Sequence, residues 1–190
     1  MHESNPLDPR VVRTRQLIRD SFLELVQEVD FNKITVNLIT KRAGINRVTF
    51  YLHYKDLPDM VEKMVDERIK FIETIFLDKY DEPYSPGFEL ETLIELLEHI
   101  AQNAKLFKVF LVTKHIPSFT QQLMELLRKL ILQNSNQEQA FPAMEDIPRD
   151  IAAWYGTSSM VGTIALWLGE DMPYTPQYLA QIMVKLNPFR

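Results

Sequence analysis

The chain has no cysteine and only five glycines among its 190 residues. The first absence excludes disulfide scaffolds, thiolate zinc sites and cysteine nucleophiles, and the second leaves no glycine-rich loop to cradle a phosphate. No apolar run reaches the roughly 18 residues that span a bilayer, and the first residues lack the basic and apolar regions of a signal peptide. We therefore expect a protein of the reducing cytoplasm with no membrane contact.

Sequence motifs of enzymes and metal sites are absent as well. There is no G-x-G-x-x-G, P-loop, H-E-x-x-H or G-x-S-x-G pattern. The four histidines, which are His2, His53, His99 and His115, do not have metal-ligand spacing. We predict that the chain is not an enzyme and needs neither a metal nor a cofactor.

Charge is distributed unevenly along the chain. The formal net charge is −5, yet residues 10–55 hold nine Lys and Arg against four Asp and Glu, which makes this segment +5 and the rest −10. A basic end on an acidic body is the pattern expected when only one end meets a polyanion. Nucleic acid is therefore a candidate partner for the N-terminal segment.

Apolar residues recur at helical spacing, and no window alternates with the period of a strand. Residues that favour helix ends agree with this pattern, with Asp8-Pro9, Thr35 and Asn46 at helix starts and Gly44 at a helix end. The predicted helices cover about 9–29, 36–43, 47–53, 57–80, 88–104, 105–114, 117–132, 149–169 and 175–186, with a break at 81–87 and a polar loop at 133–148. The fold is predicted to be all-α with about nine helices.

Residues 35–53 predict two short helices around the sequence Ala43-Gly44-Ile45-Asn46. This is the layout of a helix-turn-helix, in which the second helix enters a DNA major groove. The side chains left exposed on that helix would reach base edges or phosphates, and they are Asn46, Arg47, Val48, Thr49, Tyr51 and His53. Any Ala-Gly between two helices produces the same pattern, so spacing alone leaves DNA binding open.

The segment KITVNLITKRAGINRVTFYLHYKD, residues 33–56, resembles the DNA-binding signature of TetR-family transcriptional regulators. The resemblance extends over about 60 residues, with the first helix before the segment and a Met-, Val- and Glu-rich helix after it. It implies a three-helix head at 8–68, joined by a long fourth helix to a helical-bundle body at 69–190. It also implies a cytoplasmic homodimer that binds a palindromic operator in double-stranded DNA, usually as a repressor and in many members under a small-molecule effector. A transcriptional activator and a ligand-free helical adaptor are the alternatives.

The resemblance assigns roles to individual residues of the head. Bases would be read by Asn46, Arg47, Val48 and Tyr51, and phosphates contacted by Thr35, Thr49, His53 and Lys55. The most specific of these contacts would be Arg47 with a guanine. A packed structural imidazole is the alternative for His53, and a buried ring is the alternative for Tyr51.

Two positions depart from the family pattern. Leu38 stands where the family usually has an acidic residue, and Leu57, followed by Pro58, stands where it usually has a phosphate-binding lysine. Loss of a phosphate contact weakens affinity without changing sequence preference. The expected substitutes are Lys55, Arg13 and Arg15.

The C-terminal half contains a helix with small side chains in a row and two charges between Ile151 and Gln181. The end of the chain's C-terminal half, residues 167–182, resembles the dimerisation module of family members from Gram-positive bacteria. The predicted dimer residues are Trp154, Gly156, Ser159, Thr163, Trp167 and Tyr178, and a core helix of one subunit is the alternative. The candidates for a ligand pocket are Phe107, Phe110, His115 and Met160, for which ordinary core packing is the alternative.

Overall fold

The computed structural model describes residues 8–77, 86–113, 115–134 and 147–186. Within these ranges the chain is helical and contains no strand, which confirms the predicted all-α class. The chain divides into two compact units, Met1–Met64 and Val65–Arg190. This division falls inside one long helix, as does the boundary predicted between residues 68 and 69. No helix in the described ranges is long and apolar enough to cross a membrane.

The first unit contains three helices and the start of a fourth. A carboxylate oxygen of Asp8 accepts a hydrogen bond from the amide of Arg10 at 2.9 Å, and Pro9 begins the first helix. Both residues suit this place because the first turn of a helix has amides without intrahelical partners. The helices are α1 (Pro9–Glu28), α2 (Val36–Ala43), α3 (Arg47–Tyr51) and α4 (Leu57–Leu77), with a 3₁₀ turn at Phe31–Lys33.

In the described part of the second unit lie the remainder of α4 and five further helices. They are α5 (Pro86–Gln102), α6 (Ala104–Phe107), α7 (Pro117–Asn134), α8 (Arg149–Gly169) and α9 (Pro176–Leu186). Helix α5 packs on α9, and α7 packs on α8. Three buried phenylalanines pack together in the core of this unit. The ring centroids of Phe107 and Phe110 lie 5.9 and 4.6 Å from that of Phe119.

The predicted break after α4 is shorter on its C-terminal side than expected. Helix α5 begins at Pro86, so Pro86 and Gly87 lie in its first turn and not in a loop. A proline is tolerated there because its missing amide would have no helical partner. Residues 78–80 of the predicted fourth helix, 81–85 of the predicted break and 135–146 of the predicted polar loop lie outside the described ranges. Helix α7 continues two residues past its predicted end to Asn134.

The helix predicted over 105–114 consists of two pieces. Helix α6 occupies Ala104–Phe107 and is followed directly by a π-helical turn at Lys108–Val112. The amide of Thr113 donates to the carbonyl of Lys108 at 3.1 Å, which is the five-residue spacing of a π turn. Apolar spacing alone does not distinguish this arrangement from a continuous α-helix.

Candidate nucleic-acid interface

The turn between α2 and α3 is built from local backbone and side-chain hydrogen bonds. The hydroxyl of Thr35 accepts from an amide in the first turn of α2 at 3.3 Å, and the side-chain oxygen of Asn46 accepts from an amide in the first turn of α3 at 2.9 Å. Gly44 has φ 65°, a left-handed conformation that costs glycine little. The amide of Ile45 then donates to the carbonyl of Thr40 at 3.0 Å. These contacts form the predicted helix-turn-helix.

Helix α3 has one buried face and one exposed face. Phe50 is fully buried, and its ring centroid lies 5.5 Å from that of the buried Tyr54. On the other side Val48 is 66% exposed and Tyr51 is 48% exposed, and Arg47 is exposed as well. The helix therefore presents one basic, one apolar and one phenolic side chain to the outside while it is anchored by an aromatic core residue.

Arg47 and Tyr51 contact each other on the exposed face of α3. The Nη2 atom of Arg47 donates to the Tyr51 hydroxyl at 3.3 Å. The guanidinium carbon also lies 6.0 Å from the Tyr51 ring centroid. The two residues are four positions apart, the spacing at which side chains on a helix meet.

The four predicted phosphate contacts differ in accessibility. Thr35 and Lys55 are exposed, whereas Thr49 and His53 are half-buried. The hydroxyl of Thr35 accepts a backbone hydrogen bond as a cap, and it keeps its own O–H as a donor for a phosphate oxygen. The backbone amide of Lys55 donates a hydrogen bond to a carboxylate oxygen of Asp59 at 2.9 Å.

His53 and Arg15 are close enough to interact electrostatically. Burial lowers the pKa of His53 below its ordinary 6.5, and the positive charge of Arg15 lowers this pKa further. A neutral imidazole is therefore favoured at pH 7, and in that form it has one N–H donor. The Nε atom of Arg15 is buried and has no hydrogen-bond partner.

Lys63 connects α4 to the end of α3, a role that the sequence analysis missed. Its ammonium donates to the His53 carbonyl at 3.3 Å and pairs with Asp59 at 2.9 Å. It also lies 5.5 Å from the Tyr54 ring centroid. The hydrogen bond from Lys63 lowers the pKa of Asp59 more than any other contact. The i,i+4 spacing of Asp59 and Lys63 was the available sequence signal.

Arg42 pairs with α1, so one of the nine basic residues of the N-terminal segment has a structural role. Its guanidinium Nη1 lies 3.1 Å from a carboxylate oxygen of Glu24 and donates to Glu28 at 2.9 Å. The hydrogen bond with Arg42 is the largest cause of the lowered pKa of Glu28. The partners are 14 and 18 residues away in sequence, beyond the reach of helical spacing rules.

The comparisons with known proteins identify the family. Residues 90–187, just over half of the chain, match the TetR_C_8 family model, described as the C-terminal region of transcriptional regulators. The chain belongs to the TetR family of transcriptional regulators. It is 23% identical over 177 residues to the uncharacterized HTH-type transcriptional regulator YxbF of Bacillus subtilis strain 168. That match covers 92% of this chain, which spans 44% of the length of that relative.

Solved structures of other transcriptional regulators have the same fold. A TetR regulator from Streptococcus agalactiae is 23% identical with a TM-score of 0.68, and the match covers 94% of this chain and 95% of that one. FadR from Bacillus subtilis, solved in complex with stearoyl-CoA, is 18% identical with a TM-score of 0.70, and the match covers 90% and 96%. These likenesses show the fold of this TetR-family regulator.

The two departures from the TetR family pattern lie in different places. Leu38, in place of the usual acidic residue, is 36% exposed on α2. Leu57 is the half-buried first residue of α4, and Pro58 after it is exposed. Neither of the side chains at 57 and 58 carries a charge, and the nearest basic residue before them is the exposed Lys55.

Helices α8 and α9 of this TetR-family regulator carry several of the predicted dimer residues on their surface. Trp154 is 58% and Tyr178 is 51% exposed, Ser159 is exposed, and Gly156 and Thr163 are half-buried. The structure adds other large exposed side chains on the same two helices that sequence reasoning missed, namely Ile151, Tyr155, Leu166 and Leu186. Helical spacing did not distinguish the exposed side of α8, because apolar residues of α8 itself occur on every side of the helix axis.

Trp167 does not lie on this surface and corrects the prediction. It is only 4% exposed, and its indole N–H donates to the carbonyl of Tyr174 at 2.9 Å. This contact connects α8 with the start of α9 inside one subunit. Trp154 and Trp167 are thirteen residues apart, so at about 100° per residue their side chains point in directions about 140° apart around the helix axis.

The four ligand-pocket candidates are placed differently from one another. Phe107 and Phe110 are fully buried and contact Phe119, so packing accounts for both rings. His115 is exposed, and Met160 is half-buried on α8. Among the described residues, no three His, Cys, Asp or Glu side chains form a group that could hold a metal ion.

Proposed function

We propose that this TetR-family regulator is a homodimeric repressor that binds a palindromic operator sequence-specifically through α3. One observation carries this proposal: α3 exposes Arg47 and Val48 while Phe50 anchors the helix in the core. An arginine recognises the O6 and N7 acceptors of guanine, and a small apolar group contacts the methyl of thymine. The exposed side of α3 therefore carries the chemistry of base recognition in a major groove.

The residues predicted as phosphate contacts would bind the DNA backbone. Hydroxyl, imidazole and basic side chains in and around α3 and on α1 suit phosphate oxygens, and they are Arg13, Arg15, Thr35, Thr49, His53 and Lys55. Asn46 is the N-cap residue immediately before α3 and keeps its amide N–H groups as donors, since its oxygen is used as the cap. Such contacts orient a protein on the duplex and add affinity that depends on salt.

Two copies of the chain would dimerise through the exposed face of α8 and α9. This face combines large rings, Trp154 and Tyr178, with the exposed small residues Ser159 and Gly162. A Cβ added at Gly162 would meet nothing within 4 Å, which leaves room for a partner helix. Two-fold symmetry of such a dimer would require an operator with two-fold symmetry.

A small-molecule effector would act by changing the affinity of the dimer for its operator. In a typical allosteric protein, the effector changes the affinity for the second ligand, here the operator, about 5- to 150-fold. FadR of Bacillus subtilis was solved in complex with stearoyl-CoA, so a long-chain acyl-CoA is the first effector to test. Equal operator affinity with and without acyl-CoA would remove this class of effector from the proposal.

The deciding experiment selects preferred duplexes from a random pool with the purified protein. We expect an enriched palindrome that Arg47→Ala no longer prefers. Arg128→Ala is the matched control because, among the residues that the structure describes, Arg128 pairs with Glu125 on its own helix α7. This variant should select the same palindrome. Binding of all duplexes with equal affinity would contradict the proposal and favour the helical adaptor.

Repression and activation are separated by a second measurement. A reporter promoter that contains the selected palindrome between its promoter elements should lose transcription when the regulator is expressed. An activator would instead raise transcription from a palindrome placed upstream, and that result would replace repression in the proposal while keeping sequence-specific binding.

A further inference from the structure

The contact between Arg47 and Tyr51 restricts a side chain that would otherwise be free. An arginine has several rotatable bonds, and docking it on a base costs the conformational freedom of all of them. Here a hydrogen bond of 3.3 Å and a guanidinium 6.0 Å from the ring centroid hold the group on a single partner. Each contact is long for its kind, but both involve the same phenol ring and therefore favour the same arrangement.

Tyr51 is itself held by the core of the head. Its ring meets the ring of Phe50 edge to face, with centroids 5.6 Å apart and an interplanar angle of 87°. Phe50 is fully buried and lies 5.5 Å from the ring of Tyr54, which is 5% exposed. A continuous series of ring contacts thus leads from the core through Tyr51 to the guanidinium of Arg47.

The contact leaves Arg47 competent for DNA. A guanidinium has five N–H donors, and only one of them is needed for the Tyr51 hydroxyl. Recognition of guanine uses two donors, one for O6 and one for N7. The pair therefore orients the group without consuming the donors that a guanine requires.

We infer that Tyr51 is a positioning residue that orients Arg47 for one guanine and thereby determines base preference at that pair without touching the DNA itself. This inference rests on the proposed function and assigns Tyr51 a role different from direct base reading. Restricting a binding group before association improves binding because less freedom is lost on docking. The benefit should appear at the base pair that Arg47 reads and nowhere else in the operator.

The test is a double-mutant cycle read at that base pair. Discrimination is the ratio of the Kd for the operator in which this guanine is changed to adenine to the Kd for the selected operator. A bidentate arginine supports about 5- to 150-fold discrimination. Arg47→Ala should abolish it, and Tyr51→Leu should lower it about three- to tenfold. Tyr51→Phe keeps the ring but loses the hydroxyl, so its discrimination should lie between wild type and Tyr51→Leu.

The doubly substituted protein provides the decisive comparison. If Tyr51 acts only through Arg47, the Arg47→Ala, Tyr51→Leu protein should discriminate no worse than Arg47→Ala alone, and its affinity should not fall further. Additive losses, or a loss at another base pair or at all duplexes equally, would mean that Tyr51 touches DNA and would overturn the inference. Unchanged discrimination in both Tyr51 variants would overturn it as well.

Failure of the inference is distinguishable from failure of the proposed function. If the wild-type protein binds all duplexes equally, the sequence-specific function fails and the inference fails with it. If the wild-type protein selects a palindrome and only the Tyr51 predictions fail, the function stands. Melting temperatures of the variants identify any loss of folding, and Tyr51→Phe keeps the test valid because it preserves the ring against Phe50.

Discussion

At the scale of single residues, Asn46 shows how capping limits a role in recognition. Its side-chain oxygen accepts the Val48 amide at 2.9 Å. A bidentate contact with adenine needs both that oxygen and the amide nitrogen, so reading adenine in this way would break the cap. The free N–H groups still suit an acceptor, such as guanine O6, thymine O4 or a phosphate oxygen.

Removing the Asn46 cap should lower the stability of the protein more than removing any exposed side-chain contact of α3. We expect Asn46→Ala to decrease the free energy of unfolding by about 1 kcal/mol, because a backbone amide of α3 loses its partner. Asn46→Ser retains a capping oxygen and is the control, with an expected loss of only a few tenths of a kcal/mol. Urea denaturation measures the free energy of unfolding of both variants. Equal stability of Asn46→Ala and wild type would contradict the capping role.

His99 is the other residue whose surroundings predict a measurable effect. Its ring stacks on Phe71 with centroids 4.0 Å apart and meets Phe107 edge to face at 5.8 Å. The Nε2 atom is buried without a hydrogen-bond partner. Burial is the largest cause of the lowered pKa of His99, and the charge of Arg68 adds to it. The folded protein therefore resists protonation of this ring.

Acid should destabilise the protein partly through His99. Below the ordinary pKa of 6.5 the unfolded chain takes up a proton that the folded chain does not, so stability falls as the pH falls through and below 6.5. We expect the melting temperature of His99→Phe to fall less than that of wild type between pH 7 and pH 5. His53→Phe is the comparison in the other unit, since burial lowers the pKa of His53 too. Identical acid sensitivity of wild type and His99→Phe would exclude this contribution.

At the scale of elements, the turn between α2 and α3 depends on one backbone conformation. Gly44 has φ 65°, and an added Cβ would meet nothing within 4 Å. The requirement for glycine is therefore conformational and not a matter of space. The Arg42 ion pairs hold α1 against α2, so the turn and this contact together position α3.

Substitution of Gly44 should have a cost of purely conformational origin. Gly44→Ala is expected to lower the free energy of unfolding by about 1–2 kcal/mol, because an L-residue pays this amount in a left-handed conformation. Gly44→Asn should lose less, since asparagine tolerates that conformation better. Chemical denaturation of the two variants tests this order, and the opposite order would indicate a steric requirement instead.

At the scale of the whole molecule, the exposed apolar side chains of α8 and α9 are candidates for an interface between two copies of the chain. Trp154, Tyr155 and Leu166 are each more than half exposed on α8, and Leu186 is 74% exposed at the end of α9. Large apolar side chains grouped on a surface are a sign of an interaction site. A symmetric partner surface on a second copy would bury them and would bring two heads to one operator.

A charge on this face should separate the subunits. We expect Trp154→Glu to sediment as a monomer at a concentration where wild type is a dimer, because an unpaired carboxylate resists burial. Gln121→Glu adds the same charge at an exposed position on α7 and should remain dimeric. The monomeric variant should also lose affinity for the full palindrome more than for a half-site. A dimeric Trp154→Glu protein would place the interface elsewhere.

Most of the helix positions, the Thr35 and Asn46 caps and the Gly44 turn can be predicted from the sequence alone, because they depend on side chains and backbone groups within about five residues of each other. Which side of α8 is covered depends on tertiary packing, because apolar residues occur on every side of that helix and nothing local distinguishes Trp154 from Trp167. The ion pairs of Arg42 with Glu24 and Glu28 likewise depend on the packing of α1 against α2 and have no signal in local spacing. Burial and long-range pairing depend on how helices pack, and that information is absent from local spacing.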